Sequence, residues 1–195
     1  MKNIVHIGAG GERAPEKNTT YHYFEPRDDN ELSKVSIKDN VNVYPFALSD
    51  FSGNATLNIT KKKSCSSFLE PNIELLKKLQ PKDWQRFEVQ NRVEVRVERL
   101  DNLLDSDIII DLLIIDTQGS ELSILKGAGE LLYKTKKIIC EAEFLQLYEG
   151  QPLFKDIEDY LIEYGFVHEA YVRKVHWNEK APVFVDAVFK NKNSK

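Results

Sequence analysis

The chain has 195 residues, of which 42% are hydrophobic and 30% are charged. This length and composition exclude a disordered or collagen-like protein and predict a single domain, 1–195, with a substantial core. The net charge of −4 gives no reason to expect nucleic acid as a partner. The longest apolar stretch, IIIDLLII at 108–115, is too short for a membrane span, and the first residues lack the pattern of a signal peptide. We therefore expect a cytoplasmic protein.

Strand-like and helix-like segments alternate along the chain, which is typical of an α/β fold with a mostly parallel sheet. NIVHI at 3–7 and TYHYFE at 20–25 predict two buried strands, and residues 28–36 have the pattern of a capped helix. VNVYPFAL at 41–48 predicts a third strand, whose Pro45 indicates a sheet edge or an irregular end.

The middle of the chain predicts an addition to this sheet. The alternation within 49–59 indicates a further β element, and RVEVRVERL at 92–100 predicts a strand with one wet face. Between them, the polar segment 61–91 is interpreted as an insertion or a lid over the sheet edge. Its lysine run, 61–63, is typical of a solvated loop.

Two apolar runs predict the central parallel strands. These are DLLIID at 111–116 and KIIC at 137–140, and the segment 120–132 between them predicts a helical crossover. Cys140 lies in the second run, where a buried thiol is expected, and Cys65 is also interpreted as reduced.

The C-terminal part predicts a helix followed by an antiparallel hairpin. Residues 152–166 form an amphipathic pattern that Gly165 ends, and its apolar face contains Phe154, Ile157, Leu161 and Ile162. EAYVRKV at 169–175 and VFVDAVFK at 183–190 predict the two strands of the hairpin.

The glycine cluster of VHIGAGG, 5–11, follows the first predicted strand. A dinucleotide loop requires Gly-x-Gly-x-x-Gly and then a helix. Here Arg13 stands in place of the third glycine, and Pro15 falls where the helix is required. The pattern therefore disfavours a nicotinamide-dependent oxidoreductase.

Polar residues stand at the ends of four predicted strands, and the carboxyl ends of parallel strands are where α/β proteins bind ligands. They are Gly8 to Gly11, Glu25, Asp116 with Gln118, and Glu141 with Glu143. A carboxylate at the position of Glu25 can accept hydrogen bonds from both ribose hydroxyls of an adenosine. The alternative is a surface glutamate at a strand end.

The chain resembles the FkbM-type methyltransferases, which use S-adenosylmethionine (SAM). The resemblance rests on motifs that occur in the family's order: VHIGAGG (5–11), FEP (24–26), ALSDFSGNATL (47–57), RLDNLL (99–104), IDLLIIDTQGSELSILKGA (110–128), EAEFLQLYEGQPLF (141–154) and VDAVF (185–189). It implies a Rossmann-like class I methyltransferase sheet, SAM as the cofactor, and transfer of a methyl group to a hydroxyl of a sugar or secondary metabolite. It implies that the cofactor is bound by His6, Gly8, Ala9, Gly10, Glu25, Pro26, Ala47, Leu48, Asp116 and Gln118.

Asp116 and Glu143 are the predicted catalytic residues, because a carboxylate can remove the proton of an acceptor hydroxyl. Glu141 and Glu143 share one side of their strand and can converge with Asp116, which would raise a pKa or bind a divalent cation. Oxygen ligands alone are not specific, so no metal is predicted. The structural alternatives are that Asp116 caps the helix near Ser120 and that Glu143 binds backbone amides of the following loop.

The sequence departs from the family in two places. His6 stands where the family usually has an aspartate that helps to hold the amino group of the cofactor. Residues 9–24 are too few for a full crossover helix and the start of the next strand, so the first helix is expected to be shortened or absent. The open side of the cofactor pocket would then be covered by the 61–91 segment or by a partner subunit of a homo-oligomer. The alternative function is an inactive methyltransferase-like scaffold that no longer binds SAM fully.

Overall fold

The structure is a computed structural model that describes residues 2–8, 16–26, 39–177 and 181–193. Its main sheet has seven strands in the order β3-β2-β1-β7-β8-β10-β9. Their bounds are Lys2–Ile7 (β1), Thr19–Phe24 (β2), Val41–Tyr44 (β3), Leu112–Ile115 (β7), Lys137–Glu143 (β8), Phe166–Val175 (β9) and Phe184–Asn191 (β10). The first five strands in this order are parallel to their neighbours, whereas β10 is antiparallel to both β8 and β9. The predicted α/β fold, mostly parallel with a C-terminal antiparallel hairpin, is confirmed.

A second, three-stranded sheet carries the additional β element. Its strands are Ala47–Leu48 (β4), Gly53–Thr60 (β5) and Val89–Glu98 (β6), in the order β4-β6-β5. The strand predicted at 41–48 is therefore divided at Pro45. Its first half, β3, forms an edge of the main sheet, and its second half joins the smaller sheet.

The described helices connect or cover these strands. They are Ile73–Leu79 (α1), Leu100–Leu103 (α2), Glu121–Ala128 (α3) and Phe154–Glu163 (α4), with 3₁₀ turns at Lys63–Cys65, Trp84–Phe87 and Gly129–Lys134. Within the described ranges, no helix is long and apolar enough to cross a lipid bilayer. The helix predicted at 28–36 lies outside the described residues, and so do residues 9–15, on which the prediction for the first crossover falls.

The main core lies between the sheet and helices α3 and α4, and it explains which face of α4 is buried. Phe154, Ile157 and Leu161 are at most 9% exposed, because their spacing keeps them on one side of the helix. Ile162 was predicted to belong to this face, and that prediction is wrong, because its side chain is 55% exposed. It lies one residue beyond Leu161, which rotates it about 100° away from the buried stripe.

A separate apolar cluster attaches the 61–91 segment to the rest of the chain. Leu76, Leu79 and Phe87 of the segment pack with Tyr148 and Val183, and Tyr148 donates a hydrogen bond to the Cys65 carbonyl at 2.9 Å. Cys65 and Cys140 are both free thiols, as expected, and Cys140 is buried as its strand pattern predicts; Cys65 is buried as well. The segment is thus held by its own core against the loops that follow β8 and precede β10.

Candidate active site

The candidate site lies where the chain reverses its direction of travel across the main sheet. β1 and β7 are neighbours, but β1 leads to β2 on one side and β7 leads to β8 on the other. The loops after these strands therefore separate and leave a crevice between them, which is the usual ligand position in open α/β sheets. Gly8 follows β1 and Asp116 follows β7, so both stand at the crevice.

Gly8 and Asp116 are in direct backbone contact. Gly8 has a φ of +78°, and a Cβ atom added to it would lie 2.0 Å from the Asp116 carbonyl oxygen. The N–H of Asp116 donates to the Ile7 carbonyl at 3.0 Å, and the N–H of Gly8 donates to the Phe24 carbonyl at 3.1 Å. Glycine is therefore required at position 8 by both its conformation and its space.

A cavity of about 160 Å³ opens at this crevice and contains most of the predicted cofactor residues. Those that line it are Gly8, Glu25, Pro26, Ala47, Leu48, Asp116 and Gln118. Ala9 and Gly10 lie outside the described residues. His6 lies on β1 away from the lining, with its ring 5.7 Å from that of Tyr23. Three strand ends that are distant in sequence are thus brought together at one cavity.

The lining has the chemistry that an adenosyl group requires. Glu25 directly follows β2, is 5% exposed and faces the cavity, and a carboxylate there can accept hydrogen bonds from two ribose hydroxyls. Leu48, Ile124 and Phe46 provide an apolar surface of the kind that binds a planar base. The residues present therefore fit an adenosyl cofactor.

One wall of the cavity was not predicted in its details. It is formed by Lys63, Ser64, Ser66, Ser67 and Phe68, from the start of the 61–91 segment. The hydroxyl of Ser67 donates to the carbonyl of Gln118, which ties this wall to the loop after β7. Lys63 is exposed, as the solvated-loop interpretation predicts, but it also borders the cavity.

Asp116 is an exposed carboxylate at the cavity, and its surroundings favour the protonated form. The protein around it reduces its hydration, and Asp186 adds a nearby negative charge, so the pKa of Asp116 is raised. Arg173 opposes this rise. The N–H of Gly119 donates to Glu121 Oε1 at 3.2 Å, and the Thr117 hydroxyl donates to the same oxygen at 2.7 Å, so it is Glu121 that binds the loop after β7.

Three buried carboxyl groups lie beneath the loop after β7. Burial is the largest cause of their shifts, and it raises the pKa of Glu121 to about 8, that of Glu141 to about 7, and that of Glu143 well above its usual value. Glu143 is 1% exposed and does not line the cavity, and its Oε2 has no hydrogen-bond partner among the described residues.

Across the ranges that the structure describes, no three His, Cys, Asp or Glu side chains are placed to hold a metal ion.

The arrangement of strand ends and cavity agrees with a comparison against known families. The family model for the Methyltransferase FkbM domain matches residues 11–167, which is most of the chain. The chain belongs to the FkbM methyltransferase family. The resemblance found in the sequence is therefore confirmed, and the Rossmann-like sheet is that of a methyltransferase family.

Two FkbM relatives extend this result. The chain is 37% identical over 86 residues to a 2-O-methyltransferase, NoeI, from Sinorhizobium fredii; the match covers 43% of this chain and 35% of that protein. The crystal structure of Methyltransferase FkbM from Methylobacillus flagellatus superimposes with a TM-score of 0.53 at 13% identity, covering 97% of this chain and 43% of that one. At this identity, the second similarity shows the fold alone. The chain thus spans less than half the length of either relative.

Proposed function

We propose that this FkbM protein transfers a methyl group from SAM to a hydroxyl group of a sugar or secondary metabolite. The observation that carries the proposal is the convergence of Gly8, Glu25 and Asp116 on one cavity. Each of these residues directly follows one of three neighbouring parallel strands, which is where an α/β fold binds a nucleotide-like cofactor. The printed name of the relative from Sinorhizobium fredii supports a hydroxyl as the acceptor.

The cofactor would be held at its adenosine end by described residues. Glu25 would accept the ribose hydroxyls, and the apolar side chains of Leu48 and Ile124 would contact the base. SAM, when bound, would supply a methyl carbon that its sulfonium already activates for in-line displacement. The chain therefore has to position an acceptor and remove one proton.

Asp116 is suited to removing that proton. The Asp116 carboxylate would accept the proton that the acceptor hydroxyl loses as its oxygen takes the methyl group, and the bound cofactor would keep the electron pair of its C–S bond and leave as a neutral thioether. A raised pKa makes Asp116 a stronger base than an ordinary aspartate. Because the base must be ionised, we expect kcat/KM to increase with pH through this raised pKa.

Calorimetric titration with S-adenosylhomocysteine tests the cofactor site directly. We expect 1:1 binding in the micromolar range, which the variant Glu25→Ala loses. The matched control is Glu130→Ala, because Glu130 is exposed in the 3₁₀ turn at 129–134, away from the lining of the cavity. Wild-type protein that releases no heat would contradict the proposal and favour the inactive scaffold.

The acceptor class is tested by incubating the protein with methyl-labelled SAM and a panel of methyl glycosides of hexoses and pentoses. We expect label in an ether methyl group of at least one sugar. Cofactor binding without transfer to any hydroxyl compound, but with transfer to an amine or a thiol, would contradict the O-methyl assignment.

A further inference from the structure

Four charged side chains form a row across the carboxyl edge of the main sheet. Asp116 follows Ile115, which pairs with Cys140, so Asp116 stands beside Glu141. Glu141 pairs with Asp186 of β10, and Asp186 pairs with Arg173 of β9. Residues in lateral register on adjacent strands point to the same face of a sheet. The row thus connects the cavity to the far edge strand.

Arg173 binds two of the three acids in this row. Its Nη2 donates to Glu141 Oε2 at 2.8 Å, and its Nε lies 3.0 Å from Asp186 Oδ2. The Glu141 side chain is only 6% exposed, whereas that of Arg173 is 50% exposed. A largely accessible guanidinium therefore supplies the counter-charge of a buried carboxylate.

Glu141 connects Arg173 to Gln118, which lines the cavity. Gln118 Nε2 donates to Glu141 Oε1 at 2.7 Å, and Gln118 Oε1 lies 3.1 Å from the Tyr148 hydroxyl, which shares its single proton with the Cys65 carbonyl. Because an ionised carboxylate can only accept hydrogen bonds, Gln118 has to turn its Nε2 toward Glu141, and this contact fixes the orientation of the amide. If Glu141 were protonated, it would lose part of its capacity to accept from both Gln118 and Arg173, and this orientation would no longer be enforced.

Arg173 opposes the surroundings of Glu141, which favour the protonated form of this carboxyl group. Burial is the largest cause that raises the pKa of Glu141, Asp116 and Asp186 raise it further, and Gln118 and Arg173 lower it, which leaves it at about 7. Arg173 also lowers the pKa of Asp116. The other ionisable groups that interact with Glu141 are Glu121 of α3, Glu143 and Cys140 of β8, and Tyr148.

We propose that Arg173 is a positioning residue for the methyl transfer: it supplies the counter-charge for Glu141 and Asp116 and, through Glu141, fixes the Gln118 amide at the cavity. The proposal rests on the proposed function in assigning Asp116 as the base. A purely structural role is the alternative, since Arg173 also lies over the ring of Phe184 on the paired strand, 5.2 Å from its centre. The two roles differ in what happens to the carboxyl groups when the guanidinium is removed.

Carbon-13 NMR titration of the Asp and Glu carboxyl groups separates these roles without any need for turnover. The signals of Asp116 and Glu141 are identified by their loss in Asp116→Asn and Glu141→Gln. In Arg173→Gln we expect both midpoints to rise by about 1 pH unit, since a neighbouring opposite charge lowers a carboxyl pKa by roughly 1–3 units. Arg173→Lys keeps the charge, so we expect it to restore most of the wild-type midpoints. Unchanged midpoints in a folded Arg173→Gln protein would overturn the proposal.

The control is Arg92→Gln, because Arg92 of the smaller sheet pairs with Glu70 and both side chains are more than half exposed. We expect it to leave both midpoints unchanged. In the enzyme assay, the acidic limb of kcat/KM should move to higher pH by the same amount in Arg173→Gln. A midpoint shift without this movement would overturn the positioning role. Wild-type protein that binds no S-adenosylhomocysteine would contradict the proposed function, while the NMR result would still decide the role of Arg173 in ionisation.

Discussion

Replacing Gly8 with alanine tests the contact on which the candidate site is built. The added Cβ would lie 2.0 Å from the Asp116 carbonyl oxygen and 2.8 Å from its carbonyl carbon. Both are backbone atoms of the loop that follows a central strand, so no flexible side chain can move aside. The variant therefore has to shift β1 or the Asp116 loop.

Two destabilising effects add in the Gly8→Ala variant. The φ of +78° costs an L-residue about 1 kcal/mol relative to glycine. Forcing an atom into a packed site costs about 2 kcal/mol more. Gly150 provides a matched control, because its φ is +70° but an added Cβ would meet nothing within 4 Å. Gly150→Ala should therefore lose about 1 kcal/mol and Gly8→Ala about 3 kcal/mol.

Thermal unfolding followed by circular dichroism and calorimetry measures both variants. For a domain of this size, 1 kcal/mol corresponds to roughly 2–4 °C in Tm, so Gly8→Ala should lower Tm by roughly 6–12 °C. Gly150→Ala should lower it by roughly 2–4 °C. If the two variants lose the same stability, the close contact between Gly8 and Asp116 does not exist and the reasoning is refuted.

Three further predictions concern the base, a buried acid and helix α4. Asp116→Asn should bind S-adenosylhomocysteine normally in calorimetry but lose turnover in the labelled-methyl assay; full turnover would remove Asp116 from its role. The pKa of Glu121 is about 8 in the folded protein, above its unfolded value, so the free energy of unfolding of the wild type should fall as pH rises toward 8. Chemical denaturation at a series of pH values should show a weaker fall in Glu121→Gln. On α4, Leu161→Ala should cost about 3 kcal/mol and the adjacent, 55% exposed Ile162→Ala less than about 1 kcal/mol, as measured by urea unfolding; equal losses would contradict the burial of this helix.

The local patterns of this sequence were sufficient to predict most of the elements. The uninterrupted apolar runs predict β7 and β8 as buried parallel strands, and the alternation at 92–100 predicts the half-exposed β6. The apolar runs and the alternation both reflect which faces of a single strand are buried, so they can be recognised without knowing the rest of the fold. The error at Ile162 arose at the border of a helix face, where the pattern alone cannot say how far the neighbouring sheet reaches.

Some residues of the candidate site were likewise predictable from the sequence, and others were not. Gly8, Glu25 and Asp116 were predictable from the sequence, because each stands at the end of an apolar run and parallel strand ends share one edge of a sheet. The pairing of Arg173 with Glu141, and the wall formed by the loop at 63–68, were decided by the tertiary structure alone. Both depend on contacts between segments far apart in the chain. Their geometry follows from hairpin register and from the packing of the 61–91 cluster, neither of which leaves a periodic signal in the sequence.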